Sequence, residues 1–412
     1  MTILFITTNW RETGGDWTFT REYIEIFEKK GHKVIPFAMN HEENLPSKFS
    51  ADFINKVDYS ELNHNKSISN GLKVLRKSIY STESRKKLKK ILNKFHIDIV
   101  QVLNIHNTHT LSILPEIHRR KIPIIWRVID YKILCPNRSF LAKNNICEAC
   151  FGHKYYQPFL KKCKKQTRLA SLIVSIEAYF NHYKNYYEMV DFFSLQSNFS
   201  YDMFKKYGYT ENKLGVIGNP FRRSNKASIL SKKQNNNSIL YVGRLSSEKG
   251  LLTLLEAMER IPHIQLNIVG NGPQRNELNN LIKQKNLTNI KLLGGVWGEQ
   301  LLTIFQSSLM LVVPSEWYEP NPYVVLQAYD NHLPVIGSNI GGLPDMIINN
   351  KTGLLFQMGN SLELSKKIEL LYNDSKLRRE LGKKANDFLK NYEPELFYEY
   401  HINLYQRILN EK

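Results

Sequence analysis

Short apolar runs alternate with stretches of helical periodicity along most of the chain. The first run covers residues 2–7 and is followed by a turn at Gly14-Gly15. An amphipathic stretch over 18–29 comes next, stopped by Gly31-His32, and a second apolar run lies at 34–37. Strand, glycine turn and helix in that order open a βαβ unit. Further strands are expected at 97–103, 122–128 and 192–196, with a helix over 111–119. The alternation predicts a doubly wound parallel sheet.

The pattern then starts again. After Asn219-Pro220 a polar run over 222–238, with three consecutive asparagines, reads as a loop or linker. Beyond it, strands are expected at 239–242, 265–269, 290–293, 310–313, 334–337 and 353–356. Helices are expected over 252–260, 276–285 and 362–372. The predicted fold class is α/β, with two facing doubly wound domains and a cleft between them as the natural ligand site. The domains are read as 1–218 and 219–392, with 393–412 a helix returning to the first.

Charge changes the picture more than composition does. Lys and Arg number 57 against 38 Asp and Glu, a formal net charge of +19. Such an excess points to polyanionic partners: nucleic acid, an anionic membrane surface or a phosphorylated substrate. Part of it is concentrated between Lys66 and Lys94, where Lys73, Arg76, Lys77, Arg85, Lys86, Lys87, Lys89, Lys90 and Lys94 face only Glu83. Two readings of this segment stand: a docked helix with a solvated basic face, or a surface resting on anionic lipid. No window reaches the ~18 consecutive apolar residues that span a bilayer. The opening residues lack the basic start and small-residue cleavage site of a secretory signal, so a cytoplasmic chain is expected.

Chemistry concentrates in two blocks. In Gly243-Arg244-Leu245-Ser246-Ser247-Glu248-Lys249-Gly250 a strand delivers a glycine to the sheet edge. Arg244 can grip a phosphate through two parallel N–H bonds and Lys249 adds a mobile point charge. In Pro314 to Gly342 a proline-punctuated loop presents Glu319 before a helix near Tyr323, and Gly341-Gly342 permits close backbone approach.

Together these blocks resemble the retaining glycosyltransferases of family 4, whose GT-B fold is two facing Rossmann-like domains. Gly14-Gly15, Gly31-His32, Asn219-Pro220, Gly243-Arg244 with Lys249-Gly250, Gly270-Asn271-Gly272-Pro273, and Glu319-Pro320 through Gly341-Gly342 occur in the family's order. The resemblance implies transfer of a sugar from a UDP- or GDP-sugar to a lipid-linked or polysaccharide acceptor, at the inner face of the cell membrane, in cell-surface glycan synthesis. It implies no cofactor for catalysis. Arg244 and Lys249 would neutralise the donor diphosphate, and Glu319 would contact the transferred sugar and stabilise charge developing on its ring. Gly14, Gly15, Gly270, Gly272, Asn321, Pro322, Tyr323 and Gln327 would complete the donor site.

The chain departs from that pattern at three places. The second Glu of the family's Glu-x7-Glu is Gln327, which can still bond a ribose hydroxyl. Pro322 stands where many members have Gly, removing one backbone donor. Ile129 replaces the His that often precedes Asp130, leaving Asp130 and His106 as the expected acceptor-side catalytic groups, with His109 nearby in sequence. These departures keep a weakly catalytic or non-catalytic nucleotide-sugar-binding relative as the alternative. A nucleic-acid-binding module has no fold signature here. An NAD-dependent oxidoreductase would rest on Gly270-x-Gly272 alone, without the third glycine or ribose acid.

All four cysteines fall between 135 and 163: Cys135, the Cys147-x2-Cys150 pair and Cys163. In a reducing compartment such spacing matches a tetrahedral structural zinc site within an insertion spanning 135–163, with His153 as a substitute ligand. Four reduced thiols are the other reading.

Overall fold

A computed structural model describes residues 1–12, 14–56, 75–106, 108–224 and 237–412. The start of the basic segment, 66–74, and most of the expected linker, 225–236, lie outside the described residues. The chain divides into two units, residues 1–220 with 394–412, and residues 221–393.

The first unit contains β1 (Thr2–Ile6), β2 (Lys33–Phe37), β3 (Ile99–Val102), β4 (Ile124–Arg127), a small hairpin of β5 (Leu141–Ala142) and β6 (Asn145–Ile146), then β7 (Phe192–Leu195) and β8 (Leu214–Val216). Six of these form one parallel sheet in the order β2-β1-β3-β4-β7-β8. Ile3, Leu4, Phe5 and Ile6 are all fully buried. A strand apolar on both faces is what a parallel sheet covered by helices on both sides requires. The C-terminal helix, Pro394–Asn410, closes one of those faces: the Tyr405 hydroxyl donates to Gln101 Oε1 at 2.8 Å and shares a 2.6 Å bond with Tyr23.

The second unit contains β9 (Ser238–Val242), β10 (Gln265–Val269), β11 (Ile290–Gly294), β12 (Ser308–Val313), β13 (Val335–Ser338) and β14 (Gly353–Phe356). Its parallel sheet runs β11-β10-β9-β12-β13-β14. Successive residues of each strand enter opposite cores, as a period of two demands. Ile239 and Tyr241 pack with Leu266, Met310 and Val312 on one side, whereas Leu240 packs with Leu311, Val313 and Val335 on the other. Each side is sealed by helices, including Leu251–Glu259 and Ser361–Asn373 on the first face and Tyr323–Asp330 on the second.

Candidate functional site

In the second unit the connections run outward from β9 in one direction through β10 and β11, then restart on its other side at β12. Where strand order reverses in this way, the loops leaving the two central strands diverge and open a crevice at their carboxyl ends. The loops concerned are 243–250, after β9, and 314–322, after β12. They hold both chemical blocks singled out in the sequence.

Tight local packing sets the geometry. The Tyr241 hydroxyl, buried under the first loop, donates to the Arg244 carbonyl at 2.9 Å and closes its turn. Burial, with Glu319 and Glu248 adding to it, raises the Tyr241 pKa, so the phenol remains a donor. Gly250 has φ +67°, and a Cβ there would lie 1.8 Å from the Pro314 carbonyl oxygen. Only glycine fits at that crossing. The Glu316 N–H donates to the Glu248 carbonyl at 2.8 Å, and the Thr253 hydroxyl to Glu316 Oε1 at 2.5 Å. The two loops are therefore stapled together.

The consequence is a charged pair at the reversal point. Lys249 Nζ lies 2.5 Å from Glu319 Oε1, and the Ser315 hydroxyl donates to the same oxygen at 2.7 Å. Glu319 is 3% exposed, and Lys249 also sits over the Trp317 ring at 5.0 Å. Arg244, on the same loop as Lys249, is exposed, with no carboxylate partner among the described residues. The structure thus joins Lys249 to Glu319, with Arg244 on the loop that carries Lys249. It gives the diglycine another task than close approach to a ligand. Gly341 has φ +59°, and a Cβ on it would stand 2.7 Å from the Glu319 nitrogen, while Gly342 N–H donates to the Glu319 carbonyl at 2.7 Å. The pair holds the Glu319 backbone.

Other expected donor residues are used within the protein. A Cβ on Gly270 would lie 1.8 Å from the Gly243 carbonyl oxygen, and one on Gly272 would lie 2.2 Å from that of Leu245. These glycines let the loop after β10 pack under the loop after β9. Asn321 is buried and hydrogen-bonds Tyr392, whose own hydroxyl burial pushes up to about 12. Pro322 caps the helix that carries Tyr323 and Gln327 on its first turns. Gln327 is half-buried, and its backbone carbonyl accepts from Asn331 at 2.8 Å.

Residues 222–388 match the family model of glycosyl transferases group 1. The match takes in every residue of the charged pair and its supporting loops. Sulfoquinovosyl transferase SQD2 of Arabidopsis thaliana is 31% identical over 38% of this chain and 30% of its own length. A Campylobacter jejuni α-1,4-N-acetyl-D-galactosaminyltransferase acting on an undecaprenol-linked glycan is 29% identical over 43% of this chain and 50% of its own. The chain thus spans half or less of the curated relatives it matches. Among solved structures, sucrose-phosphate synthase from Thermosynechococcus elongatus superposes with a TM-score of 0.70 at 19% identity, each chain fully covered. Anabaena HepE in complex with UDP and glucose gives 0.67 at 16%, covering 99% of this chain and all of HepE. The fold is that of the GT-B glycosyltransferases.

The first unit has its own reversal point, between β1 and β3. Here the Thr8 hydroxyl donates to the Asn104 carbonyl at 2.7 Å, tying the two loops. Gly14, with φ +99°, caps the helix Gly15–Lys29, and a Cβ on it would meet nothing within 4 Å. Asp130 accepts from the Lys132 N–H at 2.9 Å and pairs with Arg138 at 3.5 Å. His106 shares a 3.1 Å bond with the Tyr187 hydroxyl, and burial, with Lys132 and Arg138 adding to it, holds its pKa well below the usual imidazole range. It is a buried neutral ring. His109 is fully buried and bonds the Thr7 carbonyl oxygen at 3.0 Å, a structural role.

Two residues of this cluster escaped the sequence reading. Asp16, half-buried in the first turn after the diglycine, has its carboxyl pushed up by burial and by Asp130, against Arg138 and a hydrogen bond to Asn104. Lys164 is pushed down to about 8 by burial and by Arg138 and Lys132. An acid in a helix's first turn reads as an ordinary complement to the helix dipole, so Asp16 carried no distinct signal. Lys164 lay hidden in a lysine-rich run. A buried Lys132–Glu177 pair at 2.9 Å supports the group from below. Carboxylates flanked by cations at a sheet edge can accept from hydroxyls and hold an anionic group.

On the helix Thr82–Lys94, Leu88, Ile91 and Leu92 are buried, Lys87 donates to the Phe53 carbonyl, and Lys89 and Lys90 lie 3.9 and 3.8 Å from Glu116 and Asp52. In the described part of the basic segment the helix is docked through Leu88, Ile91 and Leu92, Lys87, Lys89 and Lys90 have carboxylate neighbours, and Tyr80 before the helix is exposed. The cysteines are all reduced, Cys135 and Cys150 buried, and burial together with their mutual proximity raises the pKa of Cys135, Cys150 and Cys163. They share a neighbourhood, but no group of three or more His, Cys, Asp or Glu among the described residues is arranged to hold a metal. Separate backbone turns hold three of them: Cys135 N–H donates to Tyr131, Cys147 to Phe140 and Cys163 to Pro158. His153, the substitute ligand, stacks on His182 at 3.9 Å.

Proposed function

We propose that the chain is a retaining glycosyltransferase that moves a sugar from a UDP- or GDP-sugar to a lipid-linked or polysaccharide acceptor, in cell-surface glycan synthesis. The observation that carries this reading is the Lys249–Glu319 pair at the reversal point of the second unit, inside the group 1 match. Support comes from a relative named for sulfoquinovosyl transfer, from one named for transfer to an undecaprenol-linked glycan, and from a structural neighbour holding UDP and glucose.

The mechanism follows from the charges. Arg244 and Lys249 bind the donor diphosphate, lowering the cost of negative charge on the leaving oxygen as the bond from the sugar's anomeric carbon breaks. Positive charge grows on the ring at the same time, and the Glu319 carboxylate, oriented by Ser315, lies where it is stabilised. The acceptor hydroxyl attacks from the face the diphosphate is leaving, its proton passes to the departing phosphate oxygen, and configuration is retained. The proton balance needs no side-chain base, consistent with Ile129 beside Asp130 and with a neutral, buried His106. Gln327 meets the nucleotide ribose with a neutral amide.

A thermal-shift panel of UDP, GDP, their sugars and NAD tests this, because a ligand selective for the folded state stabilises it by mass action. Stabilisation by a nucleoside diphosphate, followed by transfer of labelled sugar from the matching donor, is expected. Stabilisation by NAD alone would overturn the reading.

A further inference from the structure

Exposed large apolar side chains are unevenly spread. Of the 18 among the described residues, eight lie between Phe151 and Tyr183. Five of them are on one helix, Arg168–Tyr183: Leu169, Leu172, Ile176, Tyr179 and Tyr183. Their spacings of three, four, three and four residues place them on a single face. The opposite face carries Ile173, Val174, Glu177 and Asn181 and is buried against the first unit. A helix that buries one apolar stripe normally leaves the other side polar. This one leaves an apolar stripe outside, while its buried face mixes Ile173 and Val174 with Ser171, Ser175, Glu177 and Asn181.

The outer stripe is extended by the insertion. The short helix Gln157–Lys161 packs beside it and exposes Leu160 to 63%. Tyr155 meets Tyr179 edge-on at 5.3 Å. Around the stripe, Lys154, Lys162, Arg168 and Lys184 are exposed. The sole carboxylate between 151 and 184 is Glu177, which is buried and bonded to Lys132.

We infer that this face is a docking surface for an anionic lipid bilayer, with the helix lying in the headgroup plane. An apolar stripe about 20 Å long, bordered by tyrosines and rimmed with cations, has the amphipathic form that inserts into the acyl boundary while its charges meet anionic headgroups. A second copy of the chain is disfavoured as the occupant, because two such rims would face each other with like charge. The surface is distinct from the basic helix Thr82–Lys94, whose apolar residues are turned inward. The inference stands independently of sugar transfer, since it rests on exposure and charge alone.

The test is co-sedimentation of the full chain with vesicles of phosphatidylcholine, with and without phosphatidylglycerol. Three variants are compared with wild type: Leu172→Ser with Ile176→Ser, Lys162→Glu with Lys184→Glu, and Lys86→Gln with Lys90→Gln. All six side chains are exposed, so the folded state is checked by melting and retained. Wild type is expected to bind the anionic vesicles. Each of the first two variants should lose at least about tenfold in partitioning, and the third should lose little. Equal binding by wild type and the apolar variant overturns the inference. So does no vesicle binding together with a concentration-dependent mass, measured by light scattering, that the apolar variant abolishes.

Discussion

Lys249 and Glu319, seventy positions apart, bond directly at 2.5 Å and so join the loop after β9 to the loop after β12. The diphosphate-binding cation is also the partner of the carboxylate assigned to the sugar. Replacing Lys249 with Met leaves a buried carboxylate with Ser315 as its remaining donor to that oxygen, at a cost of about 1–3 kcal/mol in denaturant unfolding. Adding Glu319→Gln to that variant should recover part of the loss, and non-additivity in the double-mutant cycle is the signature of the pair.

For catalysis, Glu319→Gln keeps shape and the Ser315 hydroxyl's partner but removes the charge. Turnover should fall about 10²–10³-fold while UDP or GDP affinity stays within a few-fold, because the carboxylate acts as ring charge develops. Arg244→Ala should weaken nucleotide binding as well. Calorimetry and single-turnover transfer separate the two, and wild-type turnover in Glu319→Gln would remove Glu319 from the mechanism.

The diglycine makes a sharper claim. An alanine at Gly341 would carry φ +59° and place its Cβ 2.7 Å from the Glu319 nitrogen. The backbone of Glu319 must move, so Gly341→Ala should lose turnover to nearly the same degree as Glu319→Gln, with about 1–3 kcal/mol of stability. Gly359→Ala is the control: its φ is +75°, yet nothing lies within 4 Å of the added atom. It should cost about 1 kcal/mol and leave turnover unchanged.

What was legible in the sequence, and what was not, divides along contact range. The strands were readable because a strand buried on both faces is a short apolar run wherever it occurs, as in β1 and β12. Arg244, Lys249 and Glu319 were readable as block members because each sits next to the strand end that delivers it. The work of Gly270 and Gly341 was not, since the atoms they avoid belong to loops 27 and 22 residues away in sequence. The helix Arg168–Tyr183 shows the same boundary: Leu172 and Ile173 are adjacent and equally apolar, and only the fold decides that the second is inside. The lysines near residue 90 looked unopposed because Glu116 and Asp52 come from elsewhere in the chain.

Asp16 gives a test of the first unit. Its carboxyl is raised by burial and by Asp130, so it protonates at a higher pH than an exposed aspartate. As an acceptor of a substrate hydroxyl it works only when ionised, and transfer should decline as pH falls through that raised value. Asp16→Asn should remove this acid limb and raise the acceptor KM about tenfold, with the donor KM unchanged. An unaltered pH profile would confine Asp16 to a structural role.

His109 and His401, like His106, are buried histidines that tie the stability of the same unit to acid. His109 donates through Nε2–H to the Thr7 carbonyl, and His401 through Nδ1–H to the Phe397 carbonyl at 2.8 Å; both are fully buried. Burial lowers their pKa values to about 4 and about 3. Between the ordinary imidazole value of about 6.5 and those values, the unfolded chain binds protons that the folded chain does not. Stability is therefore full above that window and falls as pH drops through it, by roughly 3 kcal/mol for His109 alone at about 1.4 kcal/mol per pH unit. His109→Gln retains a side-chain N–H for the Thr7 carbonyl while removing the titration. Its unfolding free energy, measured in denaturant across the window, should decline less steeply than that of wild type. Equal slopes would mean that His109 takes up its proton without unfolding, and that the buried ring is not what ties this unit's stability to pH.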